Sequence, residues 1–153
     1  MVQIEGKELI LHIGHPKSGT TTLQQTFKKN RKLLEKQGIL YPVQSSQYNH
    51  KLIVPLWSQR SVQGSFHRFD LGSVEDQINF AEKKWAEVME RFLSSQLRQL
   101  VISSELMFNP SAITIIANLN SSMAGLNART KVVAYIREPT AALLSGIQQS
   151  LKQ

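Results

Sequence analysis

The feature that most constrains the fold of this chain is a short apolar run, joined by a glycine-bearing loop to a helical pattern. Residues 9–13 are nearly continuously apolar apart from His12, as in strands that are buried on both faces of a parallel sheet. Residues 14–19 have the composition of a turn. Residues 20–37 then carry apolar side chains at helical spacing, with Gly38 as a stop signal. This order predicts a buried strand, a tight loop and a helix.

The loop itself predicts an anion site. Residues 14–22 read Gly-His-Pro-Lys-Ser-Gly-Thr-Thr-Thr, so backbone N–H groups, the helix dipole and three hydroxyls converge at the helix start. An ordinary ATP-binding loop has its lysine directly after the second glycine, whereas here Thr20 follows Gly19 and Lys17 precedes it. A lysine inside the loop would lie beside the bridging oxygen of a bound anhydride, so we expect Lys17 to be catalytic. The alternative is a tight turn capped by threonines.

Strand and helix patterns alternate along the rest of the chain. Further strands are predicted at residues 39–41, 100–103 and 130–136, and further helices at 74–97, 110–123 and 141–151. Residues 43–73 lack a sustained period, which predicts a long irregular segment with one short helix near 50–56. We therefore expect residues 1–153 to form a single α/β domain, a three-layer P-loop sandwich with a mostly parallel sheet. Ligands of such folds bind at the carboxyl ends of the strands.

Composition narrows the classes of partner. The 18 Lys and Arg residues exceed the 11 Asp and Glu residues, and the net charge of +7 favours anionic ligands. The basic residues are scattered and few aromatics lie among them, which argues against a nucleic-acid surface. The chain has no cysteine, and no apolar run approaches the roughly 20 residues of a membrane span. We expect a cytoplasmic protein without disulfides or a membrane span.

Residues 16–21, Pro-Lys-Ser-Gly-Thr-Thr, resemble the 5′-phosphosulfate loop of sulfotransferases, and bacterial carbohydrate-type members look most similar. The flanking residues 9–14 and 23–24 strengthen the resemblance. It implies that the donor is 3′-phosphoadenosine-5′-phosphosulfate (PAPS) and the product is the bisphosphate PAP. It also implies that Lys17 contacts the sulfate-bearing bridge. The residues implied to hold the 5′-phosphate are Ser18, Gly19, Thr20, Thr21 and Thr22.

A second motif resembles the other signature of that family. Residues 130–136 form a predicted strand, which is followed by Arg137, by Pro139 and, eight residues after the arginine, by Ser145. An arginine at a strand end and a serine two turns into the next helix can close on one phosphate. By resemblance, that group is the 3′-phosphate of PAPS. The alternative is that Arg137 forms a surface salt bridge near Glu138 and that Ser145 has no special role.

Two residues are candidates for the base that takes the proton of an acceptor hydroxyl. Glu105 follows the predicted strand 100–103, so we expect it in the same crevice as the phosphate loop. His50, in the irregular segment, is the rival base or a substrate contact. Glu105 could instead be a helix-start charge, and His50 a solvated loop residue. No metal site is expected, because the four histidines lack tight ligand spacing.

The expected function is that of a sulfotransferase, which moves a sulfonyl group from PAPS to a hydroxyl of a carbohydrate or glycolipid. Two alternatives remain open: a P-loop small-molecule kinase or other nucleotide-binding enzyme, and a non-catalytic anion-binding module. The chain ends soon after the second motif. The resemblance therefore predicts that it is the amino-terminal part of a sulfotransferase.

Overall fold

A computed structural model describes most of the chain. The described residues are 6–14, 18–43, 47–62, 66, 69–108, 112–123, 128–136, 138 and 140–141. In chain order the elements are β1 (Glu8–Gly14), α1 (Thr20–Lys29), α2 (Arg31–Lys36), β2 (Ile39–Leu40), a 3₁₀ turn (Lys51–Ile53), α3 (Val54–Ser58), α4 (Val74–Ser94), β3 (Gln99–Ser103), a second 3₁₀ turn (Glu105–Met107), α5 (Ala112–Met123) and β4 (Arg129–Tyr135). Of the predicted helix at 141–151, residues 142–151 lie outside the described residues.

The described strands form one parallel sheet in the order β2-β3-β1-β4. β1 is central, and its residue Leu11 pairs with Ile102 of β3 on one side and with Val132 of β4 on the other. Helices connect the strands, so the prediction of an α/β fold is confirmed. Because all strands run in one direction, the loops that follow β1 and β3 emerge at the same edge of the sheet.

The main core lies on one face of the sheet, against α3, α4 and α5. Alternate residues of β1 and β3, such as Leu9 and Ile102, are buried there, as the two-residue period of a strand requires. The core includes Trp57 of α3 and Trp85 of α4, whose rings meet edge to face with centroids 5.0 Å apart. The short helix predicted in the irregular segment thus exists as the 3₁₀ turn and α3. Tertiary packing makes it a buried element.

The helix predicted at residues 20–37 is divided into α1 and α2. Asn30 separates them, with φ and ψ of −98° and 16°. Its side-chain amide donates to the carbonyl oxygen of Thr26 at 2.9 Å. A short polar side chain that hydrogen bonds to nearby backbone offers the chain an alternative to a continuous helix, which accounts for the break.

β4 is an exposed strand within the described structure. Its strand prediction is confirmed, but the side chain of Val132 is 41% exposed, and Ile136, just beyond the strand, is 78% exposed. The β-branched composition therefore predicted the strand correctly, but it did not predict how much of the strand is buried.

Lys7 joins the start of β1 to the end of α4. Its ammonium group donates to the carbonyl oxygens of Phe92, Ser95 and Leu97 at 2.8, 3.0 and 2.8 Å. The same nitrogen lies 4.4 Å from the centroid of the Phe92 ring. The carboxyl end of a helix carries partial negative charge and unpaired carbonyls, so a cation there is stabilising.

Replacing this cation is expected to destabilise the fold. We predict that Lys7→Met lowers the free energy of unfolding by about 1.5–3 kcal/mol, because charge-assisted hydrogen bonds are lost while the aliphatic bulk is kept. Urea unfolding at neutral pH measures the change. Lys83→Met, at an exposed position of α4, is the control and should stay within about 0.5 kcal/mol of wild type. Equal free energies of unfolding for the two variants would contradict a stabilising role of Lys7 at the end of α4.

Candidate functional site

The amino-terminal end of α1 lies at the carboxyl end of β1. Gly19 is the residue before the helix and adopts a left-handed conformation, with φ 84° and ψ 9°. In the described structure, no side-chain hydrogen bond caps this end, and the first turn contains no acidic residue. The first N–H groups of a helix have no partner within it, and they coincide with the positive end of the helix dipole. This end is therefore suited to bind an anion.

Gly14 allows β1 and α1 to approach each other closely. A Cβ at this position would overlap Cγ2 of Thr20 and would lie 3.4 Å from Oγ of Ser18. Thr20 is itself buried against the end of the strand. The first glycine of the loop is therefore required by packing, whereas Gly19 is favoured by its backbone conformation.

Glu105 lies beside the start of α1. Its carboxylate oxygen Oε2 accepts a hydrogen bond from Oγ1 of Thr20 at 3.4 Å. The turn after β3 brings it there, since the backbone N–H of Ser104 donates to the carbonyl of His12 in β1 at 3.1 Å. Ser104 Oγ then accepts from the N–H of Leu106 and caps the turn. The sequence predicted that Glu105 and the loop share a crevice, and the two are in contact.

The other predicted phosphate ligands are divided between described and undescribed residues. Ser18 and Gly19 lie in the turn before α1, and Thr21 and Thr22 are exposed in its first turn. The predicted residues Lys17, Arg137 and Ser145 lie outside the described residues. The backbones of Gly14 and Tyr135 are paired between β1 and β4, however. The residue two positions before Arg137 thus lies next to the start of the loop.

His50 occupies a structural position. Its side chain is 0% exposed, and Nδ1 accepts from the backbone N–H of Ser103 at 2.9 Å. Nε2 must then carry the proton, and it donates to the carbonyl of Pro42 at 2.7 Å. Burial lowers the pKa of His50 to about 4. Because both nitrogens bind backbone groups inside the protein, His50 is neither a solvated loop residue nor placed to take a proton from a substrate. We do not retain it as a candidate base.

A buried polar network on the second face of the sheet was not predicted. The imidazole Nδ1 of His12 lies 2.7 Å from Oγ of Ser103, and the side-chain amide of Gln24 donates to the same oxygen at 2.9 Å. The hydroxyl of Tyr41 donates to the carbonyl of Tyr48 at 2.6 Å. In the sequence, His12 interrupts one apolar strand and Ser103 ends another. Neither position by itself indicates that the two side chains form a hydrogen bond.

Within the described part of the chain, no group of three or more His, Cys, Asp or Glu side chains is placed to hold a metal ion. No described helix has both the length and the hydrophobicity to cross a bilayer. Comparison with protein-family models, with curated proteins and with solved structures found no significant match to this chain. The sulfotransferase resemblance therefore rests on the short motifs alone.

Proposed function

We propose that this protein binds PAPS and transfers its sulfonyl group to a hydroxyl of a carbohydrate or glycolipid. The observation that carries the proposal is the contact between Glu105 and Thr20 at the start of α1. It brings a carboxylate that follows β3 next to the start of α1, a helix end that is suited to an anion and follows the neighbouring strand β1. A donor anion and a general base are the two parts that sulfonyl transfer to an alcohol requires.

The donor would be bound through its 5′-phosphate at the start of α1. The N–H groups of the first turn, which have no partner within the helix, would bind the phosphate oxygens, with the hydroxyls of Thr21 and Thr22 beside them. Lys17 would neutralise the charge that develops on the bridging oxygen. The bond from sulfur to that oxygen breaks as the acceptor oxygen bonds to sulfur, so PAP leaves. The net charge of +7 favours a ligand that carries several negative charges.

The second phosphate would be bound after β4. The pairing of Gly14 with Tyr135 supports this assignment, because Arg137 follows Tyr135 by two residues in the sequence. Arg137 and Ser145 would then bind the 3′-phosphate while the loop binds the 5′-phosphate. Recognition of both phosphates would distinguish PAPS from ATP.

Glu105 would take the proton of the acceptor hydroxyl. The residue is half-buried, and its carboxylate lies within reach of the loop, where the sulfonyl group would be bound. A carboxylate can accept the proton as the new bond from oxygen to sulfur forms. Thr20, which donates to Glu105, would orient it.

A phosphotransferase is the second candidate, and the same contact favours it. P-loop enzymes hold Mg²⁺ between a loop hydroxyl and a carboxylate from a neighbouring strand, and Thr20 and Glu105 are of those types. A phosphotransferase would require Mg²⁺, and its affinity for a nucleotide would not depend on a 3′-phosphate. It conflicts with the position of Lys17, which precedes the second glycine.

Calorimetric titration with PAP, ADP and ATP, with and without Mg²⁺, separates the two proposals. PAP differs from ADP in its phosphates, and a bidentate contact to the 3′-phosphate should make its Kd at least about tenfold lower. Arg137→Gln is expected to remove that preference. Arg129→Gln, at the opposite end of β4, should leave it intact. Tighter binding of ATP with Mg²⁺ than of PAP would overturn the sulfotransferase proposal in favour of the phosphotransferase.

A further inference from the structure

A pocket lies between α4 and the segment that follows β2. It has a volume of about 370 Å³, which is within the range of sites that bind small molecules. The apolar part of its wall includes two buried residues, Leu52 and Val88, and two aromatic residues, Phe69 and Phe80. None of the described lining residues belongs to the proposed sulfotransferase site. The pocket is therefore a candidate for a separate ligand.

One stripe of α4 gives the pocket two different ends. Phe80, Lys84, Val88 and Arg91 line the pocket and recur at steps of three and four residues, so they lie on one side of the helix. An α-helix rises about 1.5 Å per residue, which separates Phe80 from Arg91 by about 16 Å along the axis. The lining thus extends from an aromatic end to a cationic end.

The two cations of the wall use their hydrogen-bond donors differently. The ammonium group of Lys84 bonds to both carboxylate oxygens of Glu87 at 2.8 Å, and it lies 5.7 Å from the centroid of the Phe80 ring. Arg91 donates from Nη2 to Oε1 of Glu35 at 2.6 Å, although a guanidinium has five N–H donors. The Arg91 side chain is 53% exposed, so its ion pair contributes little and does not prevent it from binding a second carboxylate.

We propose that this pocket binds a carboxylate with an elongated apolar body. The carboxylate bonds to Arg91, because the planar fork of a guanidinium matches the two oxygens of that group. The apolar body extends along α4 toward Phe80 and is removed from water by the apolar wall. Two cations and one carboxylate, that of Glu87, leave the described lining with a formal charge of +1, which favours a ligand with a single negative charge. The proposal includes no reaction, and it does not depend on nucleotide binding.

The test compares octanoate with octanol, which has a similar shape but no charge. We expect octanoate to bind to the nucleotide-free protein at low ionic strength with a Kd about tenfold lower, because hydrogen bonds to a charged group are stronger than those to a hydroxyl. Added salt should reduce this ratio, since Arg91 is exposed and its charge is screened. Arg91→Gln is expected to make the two affinities equal. Arg129→Gln removes the same charge on β4, at the opposite edge of the sheet from β2, and should keep the preference.

NMR and two further variants establish where octanoate binds. Its terminal methyl group should show nuclear Overhauser contacts to the ring protons of Phe80 in the wild-type protein. Val43→Trp should fill the pocket and abolish binding, whereas Val74→Trp, at an exposed position of α4 outside the lining, should retain it. If Val43→Trp does not fold, the contacts to Phe80 decide.

Two results would overturn the proposal. The first is equal wild-type affinity for octanoate and octanol, and the second is contacts from octanoate to apolar residues elsewhere and not to Phe80. Because the titrations contain no nucleotide, either failure is distinct from failure of the sulfotransferase proposal.

Discussion

Gly14→Ala is expected to weaken PAP binding by about 100-fold or more and to lower the free energy of unfolding by about 1–3 kcal/mol. The added methyl group would overlap Cγ2 of Thr20, so the start of α1 has to move away from β1. A displacement of about 1 Å in a binding site can have an effect of this size. Calorimetric titration with PAP and urea unfolding measure the two changes.

A second substitution makes this prediction specific. Thr20→Ser removes the methyl group that the new Cβ would meet but keeps the hydroxyl that contacts Glu105, so the double variant should recover much of the lost affinity. Gly72→Ala is the control for glycine replacement, because a Cβ there meets no atom within 4 Å. Wild-type PAP affinity in Gly14→Ala would contradict the tight packing at the loop start.

The protein is expected to lose stability as the pH falls from about 6.5 to about 4, and His50 is expected to cause much of the loss. An unfolded chain protonates this histidine near pH 6.5, whereas burial lowers its folded pKa to about 4. Unfolding therefore takes up a proton between these pH values, so the stability present above pH 6.5 declines as pH falls. The full effect of such a shift is about 3 kcal/mol.

The measurement is the free energy of unfolding in urea at several pH values in this window. His50→Gln should show a shallower decline than wild type. It should not be flat, because burial also lowers the pKa of His12. An NMR titration of the His50 ring in the wild-type protein gives its pKa directly, even if the variant is unstable. A His50 pKa near 6.5 would contradict the buried, backbone-bonded position.

The predictions that succeeded concern local patterns and one topological rule. The apolar run of β1 and the threonines of α1 predicted a strand followed by a helix, and both elements are present. Residues 15–17 of the predicted turn lie outside the described residues. Glu105 was expected near the loop because the carboxyl ends of parallel strands meet at one edge, and it contacts Thr20. The division of the first helix at Asn30 was missed, since helical periodicity continues across it.

The role of each histidine could not be deduced in the same way. His50 was expected in an irregular segment, yet its ring bonds to the backbone of Ser103, which lies 53 residues away in the sequence. His12 bonds to the side chain of the same serine across 91 residues. A histidine has no local pattern that distinguishes a buried ring from a solvated one. Its pKa and its partners depend on which segments pack over it.

The amino-acid sequence by itself determined where the first strand ends and where the first helix begins. These features follow from residue spacing and from the backbone preferences of glycine and threonine, which act over a few neighbours. Only the tertiary structure decided that Glu105 touches Thr20, that His50 is buried and that His12 bonds to Ser103. Those outcomes depend on distances between segments that are remote in sequence, and chain folding alone sets such distances.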